Sequence, residues 1–112
     1  QVFATSYIPG TQSTVNVTAG FLPMERHEGV AKMYEIVQEA AQSLQIPITE
    51  QVTKGAADAG FAASLGVPTI CGMGPVGGNW HADDEYMVID TMIPRIQLLA
   101  TSMIYTCRRL LS

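Results

Sequence analysis

The clearest pattern of apolar and polar positions runs from His27 to Ile46, in the stretch HEGVAKMYEIVQEAAQSLQI. Apolar side chains recur there every three or four residues, as in a helix that packs one face against a core. Glu28 and Lys32 stand one turn apart and predict an ion pair, and Pro47 is expected to stop the helix. The predicted core face consists of Val30, Met33, Tyr34, Val37, Ala40, Ala41 and Leu44.

A second long helix is predicted after Asp90, whose side chain can cap its amino terminus. Pro94 would stand in the first turn, where proline is tolerated. Arg108 and Arg109 would lie near the carboxyl terminus, where the helix dipole favours cations. The predicted core face is Ile93, Ile96, Ala100, Met103, Ile104, Cys107 and Leu111.

The alanine-rich stretch AADAGFAASLG, residues 56–66, predicts a short helix. Asp58 is placed to cap its amino terminus. Alternatively, Asp58 could line a crevice at the end of the sheet, because it follows the end of a predicted strand. Gly66 is the expected residue just past its end.

Between the helices, several runs have the character of strands. After a turn at Pro9-Gly10, residues 13–20 alternate valine with polar residues, the period of a half-buried strand. Residues 46–53 predict a short strand and residues 86–89 a brief extended piece. Residues 67–74, VPTICGMG, are continuously apolar, as in a strand buried on both faces. The alternation of helices and strands predicts an α/β domain with a largely parallel sheet.

In such sheets ligands bind beyond the carboxyl ends of the strands. The stretch GPVGGNWHADDEYMVID (residues 74–90) follows the predicted strand 67–74 at its carboxyl end. Imidazole is the commonest protein metal ligand, so His81 is a candidate ligand. Asp83, Asp84 and Glu85 could accept a hydrogen bond from its second nitrogen. The alternative is a polar surface loop, because one imidazole is not a metal site. The only other histidine, His27, is expected on the surface.

The composition of the chain argues against several classes of function. A net charge of −4, with no basic cluster beyond Arg108 and Arg109, argues against nucleic acid as a partner. No apolar run reaches the roughly 20 residues of a membrane span. Cys71 and Cys107 are expected to be buried free thiols. No phosphate-binding glycine loop or nucleophilic GxSxG turn is present. The first residue, Gln1, suggests a cut within a longer protein, so localisation stays open between cytoplasm and periplasm.

Several runs together resemble one family. The stretch KGAADAGFAASLGVPTICGMGPVGGNWHADDEYMVIDTMIPRIQLLATSMI (residues 54–104) resembles the carboxyl-terminal part of the catalytic domain of M20 family dinuclear zinc peptidases, closest to the glutamate carboxypeptidase (carboxypeptidase G2-like) branch. GFLPMERHEGVAKMYEIVQEAAQSL (residues 20–44) resembles the passage from the inserted lid, or dimerisation, domain back into the catalytic domain. The resemblance implies that residues 1–22 end the lid domain and residues 23–112 complete a mainly parallel-sheet α/β catalytic domain.

On this resemblance His81 matches the family's last metal ligand, and Glu85 is the candidate carboxylate behind it. Asp58, Gly78 and Asn79 are candidates for the substrate pocket. Family members use two zinc ions, and their other ligands and the general-base Glu would lie upstream of Gln1. The chain would therefore be inactive alone, and it would act with that upstream part of the polypeptide, in a homodimer.

The resemblance implies hydrolysis of an amide bond next to a free carboxylate, in a peptide or an N-acyl amino acid. Two departures affect the substrate: Ala57 stands where a hydroxyl is common, and Leu22-Pro23 stands where glutamate-specific relatives often have Arg-Pro. An N-acyl amino acid deacylase of the same family, or a non-catalytic α/β binding module, are the alternatives. A buried strand over residues 67–71 would also leave an apolar surface that needs a neighbour.

Overall fold

The computed structural model describes residues 6–16 and 20–110, with the backbone alone of Leu110. Its helices are α1 (Glu28–Ser43), α2 (Ala59–Ser64) and α3 (Met92–Leu110), with a 3-10 turn over Ile89–Thr91. Two short strands, β1 (Gly77–Gly78) and β2 (Tyr86–Met87), pair antiparallel.

The helix predicted from His27 to Ile46 is confirmed as α1. The Gly29 backbone N–H donates to His27 Nδ1 over 3.1 Å, so His27 caps the first turn. The ring is half-buried near Pro68, and its Nε2 atom is buried without a hydrogen-bond partner among the described residues. The expectation of a surface His27 is therefore wrong, because capping draws the ring inward.

Both α1 and α2 end in a Schellman motif, the paired backbone hydrogen bonds that close a helix. In α1 the Ile46 N–H donates to the Ala41 carbonyl over 2.9 Å, and Gln45 takes the left-handed φ of 57°. The helix therefore ends at Ser43 because Gln45 adopts a left-handed backbone, and Pro47 lies beyond this end. In α2 the left-handed residue is Gly66, with φ 80°, as predicted.

Two polar predictions at the helix starts have different outcomes. The Glu28–Lys32 ion pair is present, with 2.7 Å between Oε1 and Nζ, and its hydrogen bond lowers the pKa of Glu28. Both side chains are exposed, so the pair adds little stability. Asp58 precedes α2 but makes no capping hydrogen bond, and Asp90 lies inside the 3-10 turn without one. Asp58 thus occupies the predicted N-cap position without a capping hydrogen bond, and the capping prediction for Asp90 is wrong.

The core lies where α3 crosses α1. Leu98 is fully buried against Val37, Ala40 and Ala41, the last two being 0% and 1% exposed. Four members of the predicted α1 face are buried, together with Ile36, which was not predicted. The side chains packed around this cluster are Leu44, Ile46, Ile48, Ile70, Met73 and Tyr105.

The predicted core face of α3 is wrong. The helix contacts α1 through Leu98 and Ser102, on its other side. The residues predicted to be buried are instead exposed, and Leu111 lies outside the described residues. Periodicity misled because α3 has apolar side chains on two sides, and only one meets α1. The exposed members are Ile93, Ile96, Ala100, Met103, Ile104 and Cys107.

The predicted strands have mixed outcomes. Tyr86–Met87 is a strand, whereas residues 46–53 and 67–74 pair with no other described segment. Cys71 is exposed, as is Cys107, so neither thiol is buried as expected. The turn at Pro9-Gly10 is confirmed by the Thr11 N–H bond to the Ile8 carbonyl. Residues 17–19 of the predicted first strand lie outside the described residues. The parallel sheet stays a prediction.

In the described part of the chain, no helix combines the length and apolar character needed to cross a membrane.

Adjacent leucines of α3 test the position of the core. Leu98→Ala should lower the free energy of unfolding by about 2–5 kcal/mol, because it empties a fully buried site. Leu99→Ala, at a position 43% exposed, should lower it by under about 1 kcal/mol. Urea unfolding followed by far-UV circular dichroism measures both. Equal losses from the two variants would contradict the described orientation of α3.

Candidate metal centre

The candidate site is the hairpin formed by β1, β2 and the loop between them, residues 79–85. Gly77 pairs with Met87 and Gly78 with Tyr86. Two turns shape the loop, one closed by the Ala82 N–H bond to the Asn79 carbonyl (3.0 Å) and the next by the Glu85 N–H bond to the Ala82 carbonyl (3.1 Å). The loop therefore has a defined path, although its side chains are exposed.

A small hydrogen-bond network fastens the hairpin to the start of α3. The Val88 N–H donates to the Val76 carbonyl over 2.8 Å. The Val76 N–H donates to the Thr91 hydroxyl over 2.9 Å, and that hydroxyl donates to the Val88 carbonyl over 2.6 Å. Thr91 thus joins both arms of the hairpin to the turn that leads into α3.

Arg95 holds the segment before the hairpin. Its Nε donates to the Gly74 carbonyl over 2.8 Å and its Nη2 to the Gly72 carbonyl over 2.5 Å. A guanidinium presents several donors in one rigid plane, so it can hold two carbonyls at once. Residues 72–74 are therefore attached to α3 one turn beyond Thr91.

The strand pairing requires glycine on β1. A Cβ atom at Gly77 would lie 2.5 Å from the Tyr86 carbonyl oxygen, closer than such contacts occur. At Gly78, a Cβ atom would meet the Tyr86 ring, with the hydroxyl oxygen 2.8 Å away. Gly78, a predicted pocket residue, is thus half-covered by Tyr86. Tyr86 was not predicted as a site residue.

His81 lies in the exposed loop, with a backbone φ of 69°. Left-handed backbone is uncommon for residues other than glycine, although asparagine and histidine adopt it more readily than most. The His81 imidazole makes no hydrogen bond or ion pair with the described residues. A ring presented to solvent in this way has both nitrogens available for a ligand or a partner.

The acidic residues of the loop have different surroundings. Asp84 accepts a hydrogen bond from the Asn79 side-chain amide over 2.8 Å, which links the two ends of the loop. Asn79, a predicted pocket residue, is itself left-handed, with φ 58°. The side chains of Asp83 and Glu85 make no hydrogen bond or ion pair with the described residues. The Glu85 carboxylate is therefore unpaired among the described residues.

The described residues do not form a complete metal site by themselves. They include no group of three or more His, Cys, Asp or Glu side chains that could hold a metal ion. Zinc sites in proteins take three or four protein ligands. His81 could therefore supply one of these ligands.

Four of the predicted site residues, Gly78, Asn79, His81 and Glu85, come together in this hairpin. Asp58 does not join them through a bond: it is exposed before α2, and its side chain makes no hydrogen bond or ion pair with a described residue. Thr91 and Arg95, which anchor the hairpin, were not predicted as site residues. The sequence gives little indication of this role, because it depends on contacts with residues 15 to 23 positions away.

The hairpin and the helices together define a protein segment that presents one imidazole from a glycine-rich loop. Comparison with protein families specifies it further: residues 13–104 match the model of Peptidase family M20/M25/M40. The chain belongs to this family and so to a class of hydrolases. Members generally use metal ions, usually zinc. Searches of curated proteins and of solved structures give no significant match.

A pair of glycine substitutions tests whether strand pairing shapes the loop. Gly77→Ala should open the hairpin, because its Cβ atom would collide with the Tyr86 carbonyl. Amide exchange at Val88, whose N–H bonds to Val76, should then accelerate by about tenfold or more in NMR measurements. Gly74→Ala is the control, since no atom lies within 4 Å of its added Cβ. Unchanged exchange in Gly77→Ala would show that the close approach is absent.

Proposed function

We propose that this chain is part of a zinc-dependent amide hydrolase in which His81 is one metal ligand. The observation that carries the proposal is the His81 imidazole, which lies in an anchored loop and has no hydrogen-bond or ion-pair partner among residues 6–16 and 20–110. Family membership supports the hydrolase class. The remaining ligands of the two zinc ions, and the general-base Glu, would come from residues outside those described here.

Zinc in such a site polarises the scissile carbonyl and activates water at neutral pH. The residues of this chain would orient the metal and form one wall of the site. His81 would give one nitrogen to the metal, and its other N–H would donate to a carboxylate, which fixes the ring orientation. Glu85 is the candidate for that carboxylate on the family resemblance, and Asp84 is already engaged by Asn79.

The substrate class follows from the resemblance to the glutamate carboxypeptidase branch: an amide bond next to a free carboxylate. Gly78 and Asn79 lie next to His81 in the hairpin and would line the pocket there. Asp58 remains a candidate for the far side of that pocket. Leu22, which replaces an arginine of the glutamate-specific relatives, cannot clamp a carboxylate with two hydrogen bonds.

A deacylase that acts on N-acyl amino acids is the second candidate, because Ala57 and Leu22 both lack the polar groups of the glutamate branch. Assays of the enzyme that contains this chain, on folate-like, dipeptide and N-acyl substrates, distinguish the two. Preference for N-acyl amino acids would select the deacylase. Absence of hydrolysis of all three classes would favour the non-catalytic binding module.

Zinc titration tests the role of His81 directly. The chain alone should show no stoichiometric binding below micromolar zinc in calorimetry, because one imidazole cannot hold the ion. Tight binding by the chain alone would refute the shared site.

In the enzyme that contains this chain, His81→Ala should weaken zinc affinity by at least about 10–100-fold. That is the loss typical of removing a residue that only supports a metal ligand, and removing a ligand itself should cost no less. The matched control is His27→Asn, which removes the other imidazole and keeps an N-capping side chain on α1. Zinc content after dialysis measures both variants. Equal zinc retention by His81→Ala and His27→Asn would contradict His81 as a ligand.

A further inference from the structure

The strands of the hairpin are too short to hold its loop by themselves. In the described part of the chain they pair at two positions, Gly77 with Met87 and Gly78 with Tyr86. A two-stranded hairpin is marginally stable in water even when it is longer than this. The next pair of residues towards the base of the hairpin therefore has a large share in keeping it closed.

That pair is Val76 and Val88, and a hydroxyl group is inserted into it. In antiparallel strands the two residues of a hydrogen-bonded pair exchange two N–H···O=C bonds. The Val88 N–H makes one of them directly, with 2.8 Å to the Val76 carbonyl. The other is relayed, because the Val76 N–H donates to the Thr91 hydroxyl over 2.9 Å and that hydroxyl donates to the Val88 carbonyl over 2.6 Å. Thr91 thus completes a pair that the backbone alone leaves half made.

The backbone around Thr91 holds this hydroxyl in place. The Thr91 N–H donates to the Val88 carbonyl over 3.0 Å, within the 3-10 turn over Ile89–Thr91. The following residue, Met92, begins α3. A β-branched side chain has a restricted χ1 angle, so the hydroxyl stays close to this backbone. Thr91 therefore transmits the position of α3 to both arms of the hairpin.

The loop depends on this closure because its own backbone is held in uncommon conformations. Asn79 and His81 are left-handed, with φ of 58° and 69°, and such residues persist only where the surrounding structure fixes them. One side-chain hydrogen bond crosses the loop within the described residues, from Asn79 to Asp84 over 2.8 Å. The direction in which the His81 ring is presented is therefore set largely at the base of the hairpin.

We propose that Thr91 is a positioning residue for His81, whose imidazole it keeps in the place for metal binding by bridging Val76 and Val88. This inference rests on the proposed function, in which His81 is a metal ligand. Thr91 would act without contacting the metal, through the fraction of molecules whose hairpin is closed. When only that fraction can bind, the apparent affinity falls in proportion to it.

The test is Thr91→Val in the enzyme that contains this chain, a change that removes the hydroxyl and keeps the branched shape. Hydrogen–deuterium exchange at the Val76 and Val88 amides should accelerate by roughly tenfold, because two hydrogen bonds are lost. Zinc affinity should fall by roughly 3–10-fold, less than in His81→Ala, since the ligand itself is still present. Thr91→Ser keeps the hydroxyl and should restore both measurements to within about twofold of the original.

The matched control is Thr101→Val, the same substitution in the same helix. The Thr101 hydroxyl makes no hydrogen bond with the described residues, so exchange at the hairpin and zinc affinity should both stay unchanged. Combining Thr91→Val with His81→Ala separates positioning from a general loss of stability. Once the imidazole is absent, Thr91→Val should cause no further loss of zinc affinity, whereas a purely structural role would lower it equally in both backgrounds.

Four results would overturn the positioning role of Thr91. They are unchanged exchange in Thr91→Val, unchanged zinc affinity in a Thr91→Val enzyme when His81→Ala lowers it, equal losses from Thr91→Val with and without His81, and no rescue by Thr91→Ser. Retention of zinc by His81→Ala would refute the proposed function, and this role with it. The two failures are distinguishable, because His81→Ala still loses zinc when the positioning role alone is wrong.

Discussion

The packing of α3 against α1 around Leu98 is the constraint on which the other features depend. Ala40 and Ala41 are small, so the two helices can approach closely and bury Leu98 completely. This contact fixes how α3 is rotated about its axis. Rotation in turn decides where Thr91 and Arg95 lie, and hence where the hairpin is attached. It also decides that the opposite side of α3, with Ile96 and Met103, is left uncovered.

Local signals in the sequence were sufficient for the elements that depend on neighbouring residues. The amphipathic period located α1, and Gly66 marked the end of α2 through its left-handed backbone. The core face of α3 could not be read in the same way, because apolar residues occur on two sides of it and periodicity does not say which side is covered. The run 67–74 is a comparable case: its composition predicts a buried strand, but a strand exists only where a neighbour pairs with it.

For the candidate site, residue type identified His81 and the glycine-rich loop identified its surroundings. The geometry that holds His81 was not accessible, since it comes from the Thr91 network and from the Asn79–Asp84 bond. These contacts use common polar residues whose partners become known only in three dimensions. His27 shows the reverse case, because an apparently exposed histidine before a helix is its half-buried cap.

The hairpin that carries His81 is short, and a two-stranded hairpin in water is marginally stable. Its left-handed residues, Asn79 and His81, add a backbone cost of at most about 1–2 kcal/mol each. The attachment to α3 must offset these costs, because Thr91 supplies the bonds that close the base of the hairpin. The packing of α3 and the presentation of His81 are thus coupled, because the helix that packs on α1 through Leu98 also continues from the turn whose Thr91 hydroxyl closes the base of the hairpin.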